Sequence, residues 1–298
     1  QKEAIKMFIE NSTYLLFINI AMEIVSLIKP YSSRYSKKTF TQQQLFILLI
    51  LRQKLKLSYR ELIEDMKTRT EVLVLLGLNR LPRPTTLSKF AKRIKTSLIE
   101  NLIGSCIKLT RRKKTDLGID ATGYHIEDGS YHYRERLGKA SKTRKNLKLS
   151  IAVDTNKQLI LASKVRKSKA HDNQDFISLV KKSNRVKQVR RIVADKAYDA
   201  EKNHEFVVDE IGAECIIPPR NEEVPIHRTK GEYRKKMKRG YSKRKYHQRS
   251  KVETVNFVMK RLFGAVIYAK NWIMQKKELL FKCLAYNIHR LVKMRISS

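Results

Sequence analysis

The hydrophobic pattern of this chain changes at Thr115, and the change limits the folds that are open to it. Before Thr115 the apolar residues recur at helical spacing, whereas after it short stretches alternate or run apolar in the way that strands do. We therefore predict two domains, 1–112 and 113–298. The expected fold class is α/β, with an all-helical N-terminal domain in front of a sheet.

Three helix starts are visible in the first region. One follows Thr41, a second is the capping box Ser58-Tyr59-Arg60-Glu61, and a third follows Pro82-Arg83-Pro84, where Thr85 or Thr86 is expected to cap the helix. Short helices, tight turns and outward Lys and Arg are typical of a DNA-binding bundle of the helix-turn-helix type. A purely structural helical cap fits the same pattern, because no base-reading residue stands out.

The second region contains five strand-like segments with helical segments among them. The strands are expected at residues 116–123, 147–154, 158–165, 189–194 and 214–217, and the helices at 176–182 and 201–211. The turn Asp154-Thr-Asn156 makes the second and third strands a hairpin. Three strands followed by alternating helices and strands predict a mixed five-stranded sheet with flanking helices.

The charge of the chain indicates the kind of partner that it binds. With 65 Lys and Arg against 28 Asp and Glu, the formal net charge is +37. An apolar content of 42% excludes a disordered polycation. So much positive charge on a folded chain is typical of a protein that binds a polyanion, most often nucleic acid. A solvated basic surface, as in a ribosomal or salt-adapted protein, is the alternative.

Cysteine content and hydropathy exclude other classes of protein. The three cysteines lie far apart and form no C-x-x-C pair, so neither a disulfide framework nor a cysteine zinc site is expected, and a reducing compartment fits best. The longest apolar stretch, Tyr14–Ile28, is shorter than the ~20 residues that a membrane span needs, and it contains Glu23. We therefore expect no membrane association.

Residues 228–251 form a basic tract with 12 Lys or Arg and a single acid, Glu232. Gly231 and Gly240 argue against one continuous helix. A disordered linker is one interpretation of the tract. An arm that grips a nucleic-acid backbone is the other, and it is favoured by the tyrosines between the charges. The candidate DNA contacts within the tract are Lys243, Arg244 and Lys245.

Acidic residues at the ends of strands are unexpected in so basic a chain. Asp120 is expected to end the first strand and Asp195 the fourth, and two such carboxylates side by side make a hard oxygen site for Mg²⁺ or Mn²⁺. Two-metal phosphoryl transfer needs a third carboxylate, for which Glu253 is the candidate. Each acid alone is weak evidence, because a turn aspartate caps the backbone more often than it binds a metal.

The helix expected at residues 246–263 places Glu253 among cations. At about 100° per residue, its side chain shares one face with Tyr246, Arg249 and Lys260, away from the apolar stripe. A simple i,i+4 surface pair between Arg249 and Glu253 explains the same spacing.

The segment Tyr246-His-Gln-Arg249-Ser-Lys-Val-Glu253-Thr-Val-Asn-Phe-Val-Met-Lys260 matches a Y-x2-R-x3-E-x6-K signature at all four positions. Over about residues 36–295 the chain resembles the DDE transposases of bacterial and archaeal insertion sequences that share this signature. Further matching pieces are Gly118-Ile-Asp120-Ala-Thr, Ala194-Asp195-Lys-Ala-Tyr198-Asp199, Lys169-Ala-His171-Asp172, Leu57-Ser-Tyr-Arg-Glu61 and Pro84-Thr-Thr-Leu87.

The resemblance implies an RNase H-like catalytic domain and the activity of a DNA transposase. Phosphodiester bonds at the ends of the insertion sequence would be hydrolysed, and the 3′-hydroxyl would then be transferred into target DNA. It implies a homodimer on double-stranded DNA, in the prokaryotic cytoplasm at the nucleoid, with two Mg²⁺ or Mn²⁺ ions and no small-molecule cofactor. The implied metal-binding triad is Asp120, Asp195 and Glu253, and the implied contacts to transposon-end DNA are Tyr246, Arg249 and Lys260.

Two departures from this function stay open on the sequence alone. One is a transposase-derived DNA-binding protein without catalysis, although all three acids and the flanking Tyr, Arg and Lys are present. The other is a metal-dependent nuclease without strand transfer. The segment between Asp195 and Glu253 is too short for the large β-rich insertion that some hairpin-forming members carry.

Overall fold

A computed structural model describes residues 12–110, 114–127, 135–136, 146–167 and 172–297. The chain divides into two compact units: Gln1–Cys106 with Leu262–Gly264 and Lys276–Ser298, and Ile107–Arg261 with Ala265–Gln275. Residues 169–171, part of one piece that resembles the transposases, lie outside the described residues. In the described part of the chain, no helix is long and apolar enough to cross a membrane.

The first unit is helical, as the spacing of its apolar residues predicts. Capping boxes start two of its helices, because Gln44 reaches back to the backbone of Thr41 and Glu61 reaches back to that of Ser58. Among the described residues, 12–106, the helices are α1 (Thr13–Val25), α2 (Gln42–Leu55), α3 (Tyr59–Lys67), α4 (Thr70–Leu75), α5 (Pro84–Arg93) and α6 (Thr96–Ser105).

Helix α5 does not begin with the threonine cap that was predicted. Pro84 is its first residue, and Arg83 is the N-cap residue without a capping hydrogen bond from its side chain. Proline suits this position because its φ angle is already helical and the first turn needs no N–H from it. The prediction that Thr85 or Thr86 caps the helix was therefore wrong.

Helix α2 forms the centre of the first unit, since every residue from Leu45 to Leu51 is buried. The ring of Phe46 lies 5.2 Å from that of Phe281, which belongs to α12 (Trp272–Ile296). Asn287 Nδ2, also on α12, donates to the backbone oxygen of Ile103 at 3.0 Å. The predicted division at residue 112 assigns α12 to the second domain, 113–298. The apolar stripe of α12 shows that the helix is packed, but it does not show which element the helix packs against.

The second unit contains a mixed sheet. The strands are β1 (Lys114–Ile126), β2 (Asn146–Asp154), β3 (Leu159–Lys167), β4 (Gln188–Ala194), β5 (Glu214–Ile216) and β6 (Val266–Ile267). The order is β3-β2-β1-β4-β5, in which β1, β2 and β3 are antiparallel neighbours and β4 and β5 run parallel to β1. The predicted mixed sheet is confirmed. A sixth strand, β6, pairs with the end of β1 and is too short to show an alternating pattern in the sequence.

Strand β1 is longer than predicted, and this changes the position of Asp120. Pairing with β2 continues as far as His125, so Asp120 lies in the middle of β1 and not at its end. Strand β4 ends beside it, because its last residue, Ala194, pairs with Ile119.

The remaining helices of the second unit are α7 (Phe176–Val186), α8 (Glu201–Glu205), α9 (Glu232–Arg239), α10 (Lys243–Tyr246) and α11 (Ser250–Phe263). A 3₁₀ turn, His247–Arg249, joins α10 to α11, so the signature segment is helical throughout. Between Asp195 and Glu253 the chain contains one three-residue strand, β5, which agrees with the predicted lack of a β-rich insertion.

Candidate active site

Asp120 lies on β1, and Asp195 directly follows the neighbouring parallel strand β4. The last residue pair between β1 and β4 is Ile119 with Ala194, and the next residue of the chain in each case is one of the two aspartates. Neighbouring strands are about 4.8 Å apart, so the register of the sheet holds these two backbone positions next to each other. The carboxylate of Asp195 also accepts a hydrogen bond of 2.7 Å from the backbone N–H of Lys196.

Helix α11 lies close to β1 because Gly118 has no side chain. A Cβ atom at Gly118 would lie 2.3 Å from Val252 Cγ2 and 3.1 Å from Thr155 Cγ2. Val252, Val255 and Met259 form the buried face of α11. The small size of Gly118 therefore sets the distance between the helix that carries Glu253 and the strand that carries Asp120.

Glu253 lies on the solvent side of α11, and 52% of its side chain is exposed. Its Oε1 lies 2.7 Å from Arg249 Nη1, so the i,i+4 ion pair that the spacing allows is formed. The guanidinium of Arg249 also lies 5.8 Å from the ring centroid of Tyr246. Further along α11, Lys260 Nζ lies 5.5 Å from the ring centroid of Tyr124 in β1. The structure thus brings Tyr246, Arg249 and Glu253 into one contiguous group.

The charges of all three acids act on Arg249. Burial acts to lower the pKa of its guanidinium, but neighbouring oxygen atoms outweigh this effect and raise the pKa. The residues that contribute, in order of effect, are Tyr246, Glu253, Asp195 and Asp120. Arg249 therefore lies where the negative potential of the three carboxylates stabilises a positive charge.

The three carboxylates suit a divalent ion chemically but are not gathered round a single point. Carboxylate oxygens are the hard ligands that Mg²⁺ and Mn²⁺ prefer. Across the ranges that the structure describes, no three His, Cys, Asp or Glu side chains are placed so that they could hold a metal ion. Glu253 is paired with Arg249 instead. The three carboxylates are therefore the right ligand type for a divalent ion, but among the described residues they are not placed to hold one.

The sequence patterns gave no indication of Asn256, a buried amide beside Asp120. Asn256 Nδ2 donates to Asp120 Oδ2 at 3.0 Å, and Asn256 is only 6% exposed. Burial raises the pKa of Asp120, and the hydrogen bond from Asn256 acts in the opposite direction. The one sequence feature that could have drawn attention to Asn256 is its position, since it is a polar residue three positions after Glu253 and next to the apolar stripe of α11.

The basic tract is folded into short helices and anchored to the sheet unit. Arg234 Nε and Nη2 each donate to the carboxylate of Asp199 at 2.9 Å. Glu201 accepts a hydrogen bond of 2.8 Å from the backbone N–H of Tyr233, at the start of α9. Gly231, with φ of 93°, precedes α9 and interrupts the helical path as predicted.

The three candidate DNA contacts of the tract differ in their surroundings. Lys243 and Arg244 are exposed. Lys245 Nζ lies 2.8 Å from Glu214 Oε1, and Glu214 Oε2 lies 2.6 Å from Arg191 Nε. The positive charge of Lys245 is therefore partly neutralised within the chain.

Known proteins with similar sequences or folds are transposases. The family model described as "Transposase DDE domain" matches residues 111–288. The comparison with curated proteins found no match. Among solved structures, the chain is similar in fold to piggyBac transposase in a cryo-EM structure of its synaptic complex with hairpin DNA, with a TM-score of 0.50 and 12% identity over 97% of this chain and 77% of that chain. Because the family model spans more than half of its length, the chain belongs to the DDE transposase family, whose members are metal-dependent enzymes that act on DNA.

Proposed function

We propose that Asp120, Asp195 and Glu253 are the catalytic residues of this transposase and together hold two Mg²⁺ or Mn²⁺ ions. The observation that carries the proposal is the register of β1 and β4, which sets Asp120 beside Asp195 where β4 ends. The convergence of all three acidic charges on Arg249 supports adding Glu253 to the pair. With these residues the enzyme hydrolyses phosphodiester bonds at insertion-sequence ends and transfers the 3′-hydroxyl into target DNA.

The chemistry requires positioning more than a reactive side chain. Asp120, Asp195 and Glu253 would hold the divalent ions, which would lower the pKa of the attacking oxygen and stabilise the leaving oxygen of an in-line displacement. Water attacks first and a DNA 3′-hydroxyl attacks later, so no side chain of the protein serves as nucleophile. The carboxylates supply oxygen ligands, while the surrounding Lys and Arg neutralise and hold the phosphate backbone.

Arg249 changes its partner when DNA binds. Without DNA its guanidinium is paired with Glu253 at 2.7 Å. A phosphodiester accepts two parallel N–H bonds from a guanidinium as readily as a carboxylate does. Phosphate binding by Arg249 therefore frees Glu253 to turn toward Asp120 and Asp195. This exchange links the completion of the metal site to the arrival of DNA.

The other cations of the site hold DNA near the scissile phosphate. Lys260 and Tyr246 flank Glu253 on the helical segment that contains the signature. The exposed Lys243 and Arg244 extend this surface, and Lys245 joins it more weakly because of Glu214. The assignment to the signature subgroup of the transposases rests on Tyr246, Arg249, Glu253 and Lys260.

Two insertion-sequence ends have to be held together during transposition, so we propose a homodimer on double-stranded DNA. In this proposal residues 1–112 form a second DNA-binding domain and residues 113–298 form the catalytic domain. The enzyme works in the prokaryotic cytoplasm at the nucleoid, where its DNA substrate lies.

Cleavage of DNA that carries the sequences flanking the gene tests the proposal. We expect wild-type protein to cut at defined ends with Mg²⁺ or Mn²⁺, and Glu253→Gln to bind the same DNA without cutting it. The matched control is Glu23→Gln, since Glu23 is also a half-exposed glutamate paired with an arginine, Arg295, at 2.6 Å. Cutting by the control should equal that of the wild type.

The remaining outcomes identify the other functions. Specific binding by wild type without cutting under either metal would indicate a transposase-derived DNA-binding protein. Cutting without joining to a second DNA would indicate a nuclease. If alanine at each of Asp120, Asp195 and Glu253 removed binding together with cutting, the result would count against the metal role.

A further inference from the structure

The amide of Asn256 connects α11 to the middle of β1. Its Nδ2 lies 3.0 Å from Asp120 Oδ2, and the residue is 6% exposed. An ionised carboxylate only accepts hydrogen bonds, so the NH₂ group and not the amide oxygen faces Asp120. Asn256 Oδ1 is buried and has no hydrogen-bond partner among the residues that the structure describes. This leaves an acceptor for a water or a substrate hydroxyl beside Asp120.

The position of Asn256 follows from the packing of α11 on β1. Val252 lies against Gly118, where a Cβ atom would overlap its Cγ2. Asn256 is four residues beyond Val252 on the same side of α11, and Asp120 is two residues beyond Gly118 on the same face of β1. The rise along α11 from Val252 to Asn256 is about 6.0 Å, and the rise along β1 from Gly118 to Asp120 is about 6.6 Å. The packing that brings Val252 to Gly118 therefore also brings Asn256 to Asp120.

A neutral amide can hold a carboxylate without cancelling its charge. An arginine or lysine at position 256 would pair with Asp120, as Arg249 pairs with Glu253. An apolar residue would leave the half-buried Oδ2 of Asp120 without its donor. The NH₂ group fixes one oxygen of Asp120 and leaves the negative charge of the carboxylate in place.

We propose that Asn256 is a positioning residue of the active site, which fixes the side-chain orientation of Asp120 so that its carboxylate can act together with that of Asp195. The inference rests on the proposed function, because it takes Asp120 to be a metal ligand. Outer residues that orient a metal ligand typically contribute about 10- to 100-fold to metal affinity.

The test substitutes Asn256 with leucine, which has a similar volume and no donor. For the full chain we expect the Mn²⁺ concentration that gives half-maximal cleavage to rise about tenfold or more. Mn²⁺ binding to the protein in the presence of end DNA, measured by titration calorimetry, should weaken by a similar factor. Affinity for end DNA without metal should stay unchanged. Asn256→Gln keeps an amide and should lie between wild type and Asn256→Leu.

The matched control is Asn287→Leu, which removes another buried amide that donates to a backbone oxygen, here that of Ile103. It should lower the unfolding temperature and leave the Mn²⁺ response unchanged. Should Asn256→Leu fail to fold, Asn256→Ser replaces it, because serine is too short to reach Asp120.

A lower unfolding temperature of Asn256→Leu with an unchanged Mn²⁺ response would overturn the inference and leave Asn256 a purely structural residue. Failure of the proposed function would give a different result. Wild-type protein would then show no Mn²⁺-dependent cutting, and Asp120→Asn would bind Mn²⁺ as well as the wild type does.

Discussion

The absence of a side chain at Gly118 allows α11 to lie close to β1, and the methyl group added by Gly118→Ala would push the two apart. The added Cβ of Gly118→Ala would lie 2.3 Å from Val252 Cγ2, so the helix or the strand has to move. Overpacking of this kind costs about 1–3 kcal/mol of unfolding free energy. The displaced α11 carries Glu253 with it, and a shift of about 1 Å at an active site can lower the rate about 100-fold. Urea unfolding and the end-cleavage assay measure the two effects.

Gly123 offers a matched control on the same strand. A Cβ atom there meets nothing within 4 Å, so Gly123→Ala should change the unfolding free energy by less than about 0.5 kcal/mol and leave cleavage intact. If Gly118→Ala and Gly123→Ala lost equal amounts of unfolding free energy and of cleavage, the role of Gly118 would be explained by the flexibility of the strand and not by the space beside Val252.

Single residues with a distinctive chemistry are the ones that the sequence alone can propose for the candidate site. Asp120, Asp195 and Glu253 are acids in a chain of net charge +37, and the signature spacing marks Arg249 and Lys260. Asn256 and Gly118 were not predicted to have a role, because an amide and a glycine acquire one only through the neighbour that the fold brings to them. For Asn256 that neighbour, Asp120, is far away in the sequence.

At the scale of elements, Asp199 anchors helix α9 through Arg234, and this contact makes stability depend on pH. Burial acts to raise the pKa of Asp199, but the neighbouring His204, whose Nε2 lies 3.7 Å away, and hydrogen bonds from Arg234 and from the backbone N–H of Arg220 outweigh it and lower the pKa to about 2. Because the folded pKa lies below the ordinary value of about 3.9, the stabilisation is complete above that value and is lost as the pH falls toward 2. The shift corresponds to roughly 2 kcal/mol.

Asp199→Asn should therefore lower the unfolding free energy by roughly 2 kcal/mol at pH 6, and the difference from wild type should shrink between pH 4 and pH 2. Denaturant unfolding at constant ionic strength measures both proteins across this range. A difference that stayed constant with pH would show that the substitution acts through packing and not through the charge of Asp199.

Elements were predictable where their pattern is local. Alternation and turn residues predicted the strands of the sheet, and the Ser58–Glu61 capping box predicted the start of α3. The full length of β1 depends on pairing with β2 and with β6, which comes from the far end of the unit. The partner of α12 in the first unit is likewise a property of packing between distant segments, so a local pattern could not reveal it.

For the whole molecule, a net charge of +37 makes DNA affinity strongly dependent on salt. Each neutralised phosphate contributes about −0.9 to the slope of log affinity against log salt concentration. A protein with about 6–10 phosphate contacts should lose about 10³- to 10⁵-fold in affinity between 50 and 200 mM salt. Fluorescence anisotropy of a labelled duplex measures the slope. An affinity that hardly changes with salt concentration would contradict a surface that binds the phosphates of the DNA backbone.

Substitutions in the basic tract can show which side chains contribute to the salt dependence of DNA affinity. Lys243 and Arg244 are exposed, so each alanine substitution should reduce the magnitude of the salt slope by about 1. Lys245→Ala is the matched control from the same helix, and it should reduce the slope by less, because Glu214 already lies 2.8 Å from Lys245 Nζ. Equal reductions at all three positions would mean that Lys245 leaves Glu214 when DNA binds, and that the charge pairing seen in the free chain does not limit the DNA-binding surface.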